Sequence, residues 1–251
     1  MKVYFVGAGP GDPELLTRKA ERLLRQTRVC VFAGSLVSPD VLTLLPCNAE
    51  RYDSAAMSLP EIIAVCMVAQ KRDVDVVRLH SGEPAIYGAI AEQMDELDQR
   101  GIAYEVVPGI SSFQAAAAAL QTELTAPEVA QTVILTRASG RTPVPESQDL
   151  AKLAKARATM CIFLSVGHVE KIVAALLPEY GGDCPAAIVY HATWPDQHVI
   201  RTRLGELTAA VRSAKLHKTA IILVGDALAR SSRRSRLYGE DFSHAFRGTH
   251  S

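Results

Sequence analysis

The segment VYFVGAGPGDP, residues 3–13, decides the interpretation of this chain. Its first half is rich in β-branched and aromatic residues, which predicts a buried strand, and the glycines and prolines that follow predict a tight turn. Pro13 stands where a first-turn proline opens a helix. One helical face after it is apolar: Leu16, Ala20, Leu23 and Leu24. A strand, a glycine-rich loop and an amphipathic helix in this order indicate an α/β fold.

The same alternation continues along all 251 residues and is typical of helices packed on a mostly parallel sheet. The predicted strands cover 3–7, 29–33, 74–80, 103–107, 132–137, 160–164, 186–191, 199–204 and 219–224. A helix is predicted after Pro84, with Ile86, Ile90, Met94 and Leu97 on one face, and another over 114–120. So many strands exceed what one compact sheet usually needs. We therefore expect two α/β domains, over 1–113 and 114–240, and a polar tail over 241–251.

Charge and composition narrow the class of protein. The chain has 27 Lys+Arg and 27 Asp+Glu, so it lacks the positive field of a protein that binds nucleic acid or an anionic membrane over a wide surface. No run of 18 apolar residues and no signal-peptide pattern is present, which predicts a soluble cytoplasmic protein. Reduced, structural thiols are expected for the scattered cysteines, Cys30, Cys47, Cys66, Cys161 and Cys184. A solvated, partly disordered end is expected beyond Ala229, where the basic residues are Arg230, Arg233, Arg234 and Arg236.

The first glycine loop differs from a dinucleotide-binding fingerprint. Asp12 replaces the third glycine of G-x-G-x-x-G, and its carboxylate would oppose a pyrophosphate. Pro10 and Pro13 remove backbone N–H groups that a phosphate cradle needs. The second predicted strand ends in FAGS, without the acid that holds a ribose. These differences disfavour NAD or FAD as a ligand.

Two further polar, glycine-bearing turns follow predicted strands: HSGEPAIYG at 80–88 and VPGISS at 107–112. Ligands of open α/β sheets bind at the carboxyl ends of the strands. For each turn alone a simple tight turn is the favoured interpretation, but the three together predict one crevice. Its backbone amides and hydroxyls suit an uncharged or zwitterionic ligand.

Other classes of site find no support in the sequence. No zinc-binding spacing occurs among the histidines, which are His80, His168, His191, His198, His217, His244 and His250. No G-x-S-x-G nucleophile motif is present either. We expect no protein-bound metal.

From YFVGAGPGDPELLT through HSGEPAIYGAIAEQM and VVPGISSF, the chain resembles the tetrapyrrole methyltransferases, which use S-adenosylmethionine on cobalamin and sirohaem precursors. The resemblance extends to about Tyr238. The stretches at 123–146 and 190–204 resemble the branch that methylates C11 of precorrin-4 or cobalt-precorrin-4. Methylation of uroporphyrinogen III or of another precorrin carbon, diphthine synthesis, and a non-catalytic tetrapyrrole or cofactor carrier are the alternatives.

The resemblance implies two α/β domains with the active site in a cleft between them, usually in a homodimer. It implies cofactor contacts at Pro10, Ser81, Gly82, Glu83, Ile86, Ser111, Ser112, Leu164, Ala192, Thr219 and Ala220. Three of these positions depart from the family pattern: Glu83 replaces the commoner aspartate, Leu164 a methionine, and Ala192 a glycine that precedes the threonine matched by Thr193.

The acidic tetrapyrrole needs cationic partners, for which arginine is well suited. The candidates are Arg137, Arg141 and Arg78. Asp12 is the candidate base, and an N-terminal helix cap is its alternative role.

Overall fold

A computed structural model describes residues 1–229 of the chain. The predicted basic tail from Arg230 onward, including 241–251, lies outside the described residues. The chain forms two compact units: Met1–Ala116 with His191–His198, and Ala117–Tyr190 with, among the described residues, 199–229. The return of His191–His198 to the first unit was not predicted.

The first unit contains a five-stranded, wholly parallel sheet in the order β3-β2-β4-β1-β5. Its strands are β1 Lys2–Gly7, β2 Val29–Phe32, β3 Glu50–Asp53, β4 Val76–His80 and β5 Ala103–Val107. Its helices are α1 Arg18–Gln26, α2 Pro39–Leu42, α3 Leu59–Lys71, α4 Ile90–Asp98 and the first part of α5 Ser112–Ala119, since the first unit ends at Ala116. The parallel sheet matches the predicted class for this unit.

The core of the first unit lies on both faces of the sheet. Val3 and Phe5 of β1 pack with α3 and α4, whereas Val6 packs with α1 and α2. Alternate residues of a strand point to opposite faces, so a strand buried on both sides is continuously apolar. This explains why the run at the start of the chain specifies an interior strand of the sheet.

Two helices begin later than predicted. The turn Pro13–Leu15 is a short 3-10 helix, and α1 begins at Arg18 with Thr17 as its N-cap. α4 begins at Ile90, not at Pro84, because Tyr87 (φ 57°) and Ala89 (φ 49°) have left-handed backbone conformations that an α-helix does not accept. The apolar spacing from Ile86 onward therefore suggested a longer helix than the one that forms.

The second unit contains a mixed sheet in the order β6-β7-β10-β8-β9. Its strands are β6 Val133–Arg137, β7 Thr159–Phe163, β8 Pro185–Tyr190, β9 His198–Arg203 and β10 Ala220–Val224. β6 is parallel to β7, but β10 is antiparallel to both β7 and β8, so the expectation of a mostly parallel sheet is wrong here. The helices are α6 Leu150–Ala154, α7 Val169–Tyr180 and α8 Leu207–Ser213.

The cysteines and the hydropathy of the helices were also subjects of prediction. The five cysteines are free thiols, and all except Cys47 are buried. Burial raises the pKa of the Cys30 thiol to about 12. Within residues 1–229, no helix is long and apolar enough to cross a membrane.

Candidate functional site

The three glycine-bearing loops of the first unit leave adjacent strands at the carboxyl edge of the sheet. In the parallel register, Gly7 of β1 pairs with His80 of β4, and Val6 pairs with Val107 of β5. β1 therefore lies between the two strands from which the second and third loops leave. This adjacency confirms the predicted grouping of the three loops.

Main-chain hydrogen bonds join the first loop to the second. The Ala8 N–H donates to the His80 carbonyl at 2.7 Å, and the Gly82 N–H donates to the Gly9 carbonyl at 2.9 Å. At Gly7, an added Cβ would lie only 2.6 Å from the Gly82 carbonyl oxygen and from Cα of Gly109. Glycine is thus required where all three loops meet.

Glu83 connects the second loop to the third. Its Oε2 accepts the Gly109 N–H at 2.8 Å, and its Oε1 accepts the Ala85 N–H at 2.9 Å. Both carboxylate oxygens therefore already bind backbone amides of the site. This geometry gives Glu83 a positioning role between the second and third loops.

The other residues of these two loops differ in exposure. Gly82 is buried at φ +64°, whereas Ser81 is exposed and Ile86 is half-buried. Ser111 is buried, and its backbone N–H donates to Oε1 of Gln114 at 2.9 Å at the start of α5, which begins at Ser112. The five predicted residues thus lie on two neighbouring loops of one unit.

Asp12 has the structural role that was its alternative in the sequence. Its Oδ1 accepts the Glu14 N–H at 2.9 Å and caps the 3-10 turn that begins at Pro13. Its own backbone N–H donates to Oγ1 of Thr193 at 3.0 Å. No partner of the other carboxylate oxygen, Oδ2, is found within residues 1–229.

The His191–His198 segment contacts the first loop. Trp194 Nε1 donates to the Pro10 carbonyl at 2.8 Å. Ala192 of the same segment is buried, between His191 (φ 45°) and Thr193 (φ 70°), which have left-handed backbones. Pro10 and Ala192, both predicted to contact the cofactor, thus lie on two connected stretches of the first unit.

The candidates of the second unit lie together at the ends of two neighbouring strands, β7 and β10. Leu164 follows β7, has a left-handed backbone (φ 52°) and is 66% exposed. The antiparallel register, in which Ile222 pairs with Ile162, places Ala220 beside Leu164. Thr219 (φ 55°) precedes Ala220, and its buried Oγ1 has no hydrogen-bond partner within residues 1–229. A buried hydroxyl without a partner fits a polar ligand atom at this edge.

The two arginines of the loop after β6 differ in their contacts. Arg137 donates to the carbonyls of Thr142 and Pro143, each at 2.9 Å, and so shapes the loop. Arg141 is exposed, and no partner for its guanidinium is found in the described part of the chain. Arg141 is therefore the more available cation.

Arg78 is buried on the α3 and α4 face of the first sheet. Its Nε donates to Oε1 of Gln93 at 3.0 Å and its Nη1 to the Val31 carbonyl at 3.3 Å. This placement favours an internal role over the predicted contact with substrate. The contact with Gln93 joins residues 15 positions apart and has no signal in the sequence.

His80 is a second buried polar residue on that face. It is only 5% exposed, its ring lies 5.9 Å from that of Phe5, and its Nε2 has no partner within residues 1–229. Burial, together with the nearby Arg78 cation, lowers the pKa of His80 to about 3. The imidazole is therefore neutral at physiological pH.

The described residues contain no group of three or more His, Cys, Asp or Glu side chains that could hold a metal ion. The candidate site of the first unit instead consists of glycine loops with backbone donors and a carboxylate that connects two of them. The second unit has its own candidates, among them the exposed Leu164. Two α/β units with glycine-rich loops at the carboxyl ends of parallel strands are typical of proteins that bind a small organic ligand.

Comparison with known proteins specifies the family. Residues 2–208 match the Tetrapyrrole (Corrin/Porphyrin) Methylases. The chain belongs to this family and is a methyltransferase.

Several relatives are similar over nearly their whole length. A cobalt-precorrin-4 C(11)-methyltransferase of Methanocaldococcus jannaschii is 47% identical, with 99% of this chain and 97% of the relative covered. A precorrin-4 C(11)-methyltransferase of Pseudomonas aeruginosa is also 47% identical, over 98% of this chain and 99% of the relative.

Solved structures agree with this assignment. The X-ray structure of the cobalt precorrin-4 methyltransferase CbiF is 45% identical, with a TM-score of 0.89 over 91% of this chain and 96% of that one. Uroporphyrin-III C-methyltransferase of Thermus thermophilus, complexed with S-adenosylhomocysteine, is 29% identical, with a TM-score of 0.77 over 91% of this chain and 94% of that one.

Proposed function

We propose that this protein transfers a methyl group from S-adenosylmethionine to C11 of precorrin-4 or cobalt-precorrin-4 in cobalamin biosynthesis. The observation that carries the proposal is the 47% identity, over nearly the full length, to enzymes that bear both of these names. The two relatives differ in whether the ring contains cobalt, so both substrates belong in the test.

The residues present fit S-adenosylmethionine. The candidates in the first unit are Pro10, Ser81, Gly82, Glu83, Ile86, Ser111, Ser112 and Ala192, and those in the second unit are Leu164, Thr219 and Ala220. The buried hydroxyl of Thr219, which has no hydrogen-bond partner among residues 1–229, supports a polar ligand atom beside it. The proline at position 10 and the carboxylate at position 12 disfavour a pyrophosphate at the first loop.

When bound, the cofactor supplies a methyl group already activated by the sulfonium. The protein's contribution is to hold an electron-rich ring carbon in line with that methyl group, and no covalent enzyme intermediate is required. Glu83 serves this purpose indirectly, because it fixes the second loop against the third.

Methylation changes the proton balance of the ring, and Asp12 is the proposed base. Its Oδ1 is used as a cap, while its Oδ2 is available for a proton. Asp12→Asn keeps an oxygen for the cap but removes the basic carboxylate. We expect the variant to bind S-adenosylhomocysteine normally and to lose kcat.

The carboxylates of the ring are proposed to bind the guanidinium of Arg141. Arg137 contributes to this binding indirectly, because it shapes the loop that contains Arg141. The guanidinium of Arg78 is occupied by Gln93 and a strand carbonyl, so it is not included in the proposed substrate contacts.

The test is turnover with a labelled methyl donor on precorrin-4, cobalt-precorrin-4 and uroporphyrinogen III, with mass spectrometry of each product. We expect one added methyl group on a precorrin-4 substrate. Methylation of uroporphyrinogen III alone would replace the proposal by the alternative reaction. Calorimetry should show binding of S-adenosylhomocysteine but not of NAD, and binding of NAD alone would contradict the cofactor assignment.

We also propose that the protein acts in the cytoplasm as a homodimer, the state that the family resemblance implies. Light scattering of the purified protein measures the oligomeric state, and the mass of a single chain would contradict it.

A further inference from the structure

Trp194 is the single tryptophan of the chain. It belongs to the His191–His198 segment and packs against the first glycine loop. Its Nε1 donates to the Pro10 carbonyl at 2.8 Å. A Cβ added at Gly11 would overlap the indole ring. The side chain therefore binds one residue of the loop and covers the next.

The indole also contacts a side chain of its own segment. The His191 ring stacks on it with centroids 4.3 Å apart and planes 23° from parallel. The Nδ1 of His191 lies 2.9 Å from the Asp196 carboxylate. Thr193 adds a separate contact, since its Oγ1 accepts the Asp12 N–H at 3.0 Å. The segment thus fixes the first loop at Pro10 and again at Asp12.

The loop itself needs such support. Gly9 and Gly11 bring wide backbone freedom, and the two prolines provide no N–H with which to stabilise the turn. A binding loop that is ordered before the ligand arrives avoids the entropy cost of ordering upon binding. A contact that orders this loop therefore increases affinity without touching the ligand.

We propose that Trp194 is a positioning residue: it holds the first loop in the conformation that binds S-adenosylmethionine, and its fluorescence reports occupancy of the site. The inference rests on the proposed function, which places Pro10 against the cofactor.

Two substitutions separate the parts of this role. Trp194→Phe keeps an aromatic ring over Gly11 but removes the N–H donor, and Trp194→Ala removes both. Loss of one neutral hydrogen bond corresponds to a factor of roughly two to ten in an equilibrium constant. We expect Trp194→Phe to weaken S-adenosylhomocysteine binding by about that factor, and Trp194→Ala to weaken it further.

Tyr180→Phe in the second unit is the matched control. It also removes a side-chain donor to a backbone carbonyl, that of Ala158 at 2.6 Å. Circular dichroism and thermal melting establish that each variant is folded. The control is expected to lose stability but to bind S-adenosylhomocysteine as the wild type does.

The wild-type protein is titrated with S-adenosylhomocysteine by calorimetry and by tryptophan emission. We expect a saturable change in emission with the calorimetric Kd, and calorimetry alone follows the Trp194 variants. Unchanged affinity in folded Trp194→Phe and Trp194→Ala would overturn the positioning role while leaving the proposed function intact. Absence of wild-type binding would overturn the proposed function and this inference together.

Discussion

The carboxylate of Glu83 accepts the backbone N–H of Gly109 at 2.8 Å, across 26 positions of sequence. Its other oxygen accepts the N–H of Ala85 within its own loop. One side chain thus fixes the distance between two loops that leave β4 and β5 on either side of β1. A residue predicted to touch the cofactor therefore also determines the shape of the site.

Glu83→Gln tests this connection. The amide has one acceptor oxygen where the carboxylate has two, so one of the two backbone N–H groups loses its partner. Hydrogen bonds to a charged group contribute about 1.5–3 kcal/mol, and we expect a loss near the lower value for this half-buried side chain. Urea unfolding and calorimetry with S-adenosylhomocysteine measure the loss of stability and of affinity.

Glu83→Asp is the control that keeps the charge but shortens the side chain. It should retain more affinity than the glutamine variant, because a carboxylate can still accept both N–H groups after a small shift. Equal affinity of the wild type and Glu83→Gln would show that the connection between the loops is irrelevant to binding.

Gly82 can be tested against a glycine with the same backbone conformation. Gly82 has φ +64° in the site, and Gly101 has φ +63° just after α4, with no atom within 4 Å of an added Cβ. Replacement of either by alanine carries the same left-handed strain, about 1 kcal/mol. At Gly82 the added Cβ would also approach Cα of Ser111 at 3.6 Å, an ordinary contact.

Both variants should therefore lose similar stability, and only Gly82→Ala should bind S-adenosylhomocysteine more weakly, because its methyl group occupies ligand space. Thermal melting and calorimetry make the comparison. If Gly82→Ala binds normally, the second loop does not approach the cofactor at this residue.

Much of the first unit could be predicted because its signals are local. β1 is a continuous apolar run, and the glycines and prolines after it specify a turn. β3 was missed because Glu50–Asp53 is four residues long and three of them are charged. The late start of α4 was missed because Tyr87 and Ala89 have left-handed backbones without being glycines. Their residue types therefore give no sign of the turn.

The errors in the second unit and at the first loop have a different cause. The direction of β10 depends on its pairing with β7 and β8, which no local pattern specifies. The contact between Trp194 and Pro10 joins residues 184 positions apart. A lone tryptophan between two predicted strands was the only sequence signal for it.

The buried His80 should make the stability of the protein sensitive to acid. Its pKa in the folded state is about 3, against 6.5 as the ordinary value, so the unfolded chain takes up the proton first as the pH falls. The stability that His80 contributes is complete above about pH 6.5 and is lost progressively toward pH 3. The slope approaches about 1.4 kcal/mol per pH unit within that window.

His80→Phe removes this titration and keeps a ring beside Phe5. Urea unfolding, followed through the fluorescence of Trp194 in the same unit, measures the free energy at several pH values. The difference between wild type and variant should shift by about 1.4 kcal/mol per pH unit below pH 6, in favour of the variant. A difference independent of pH would mean that His80 takes up its proton as readily in the folded protein as in the unfolded chain.

The last prediction separates the two arginines after β6. Arg141→Ala removes an exposed cation that has no partner among the described residues, so it should raise the KM for the tetrapyrrole without lowering the melting temperature. Arg137→Ala should do both, because the loop loses the donor that binds the carbonyls of Thr142 and Pro143. One charge-assisted hydrogen bond to a substrate carboxylate corresponds to roughly a tenfold change in affinity.

Arg212→Ala, which removes an exposed partner of Glu170 on the same unit, is the control for loss of a positive charge. Salt should weaken substrate binding less in Arg141→Ala than in the wild type, because the screened interaction is already absent. S-adenosylhomocysteine affinity should stay unchanged in Arg141→Ala. A KM and a salt dependence equal to those of the wild type would place the carboxylate-binding cations elsewhere on the protein.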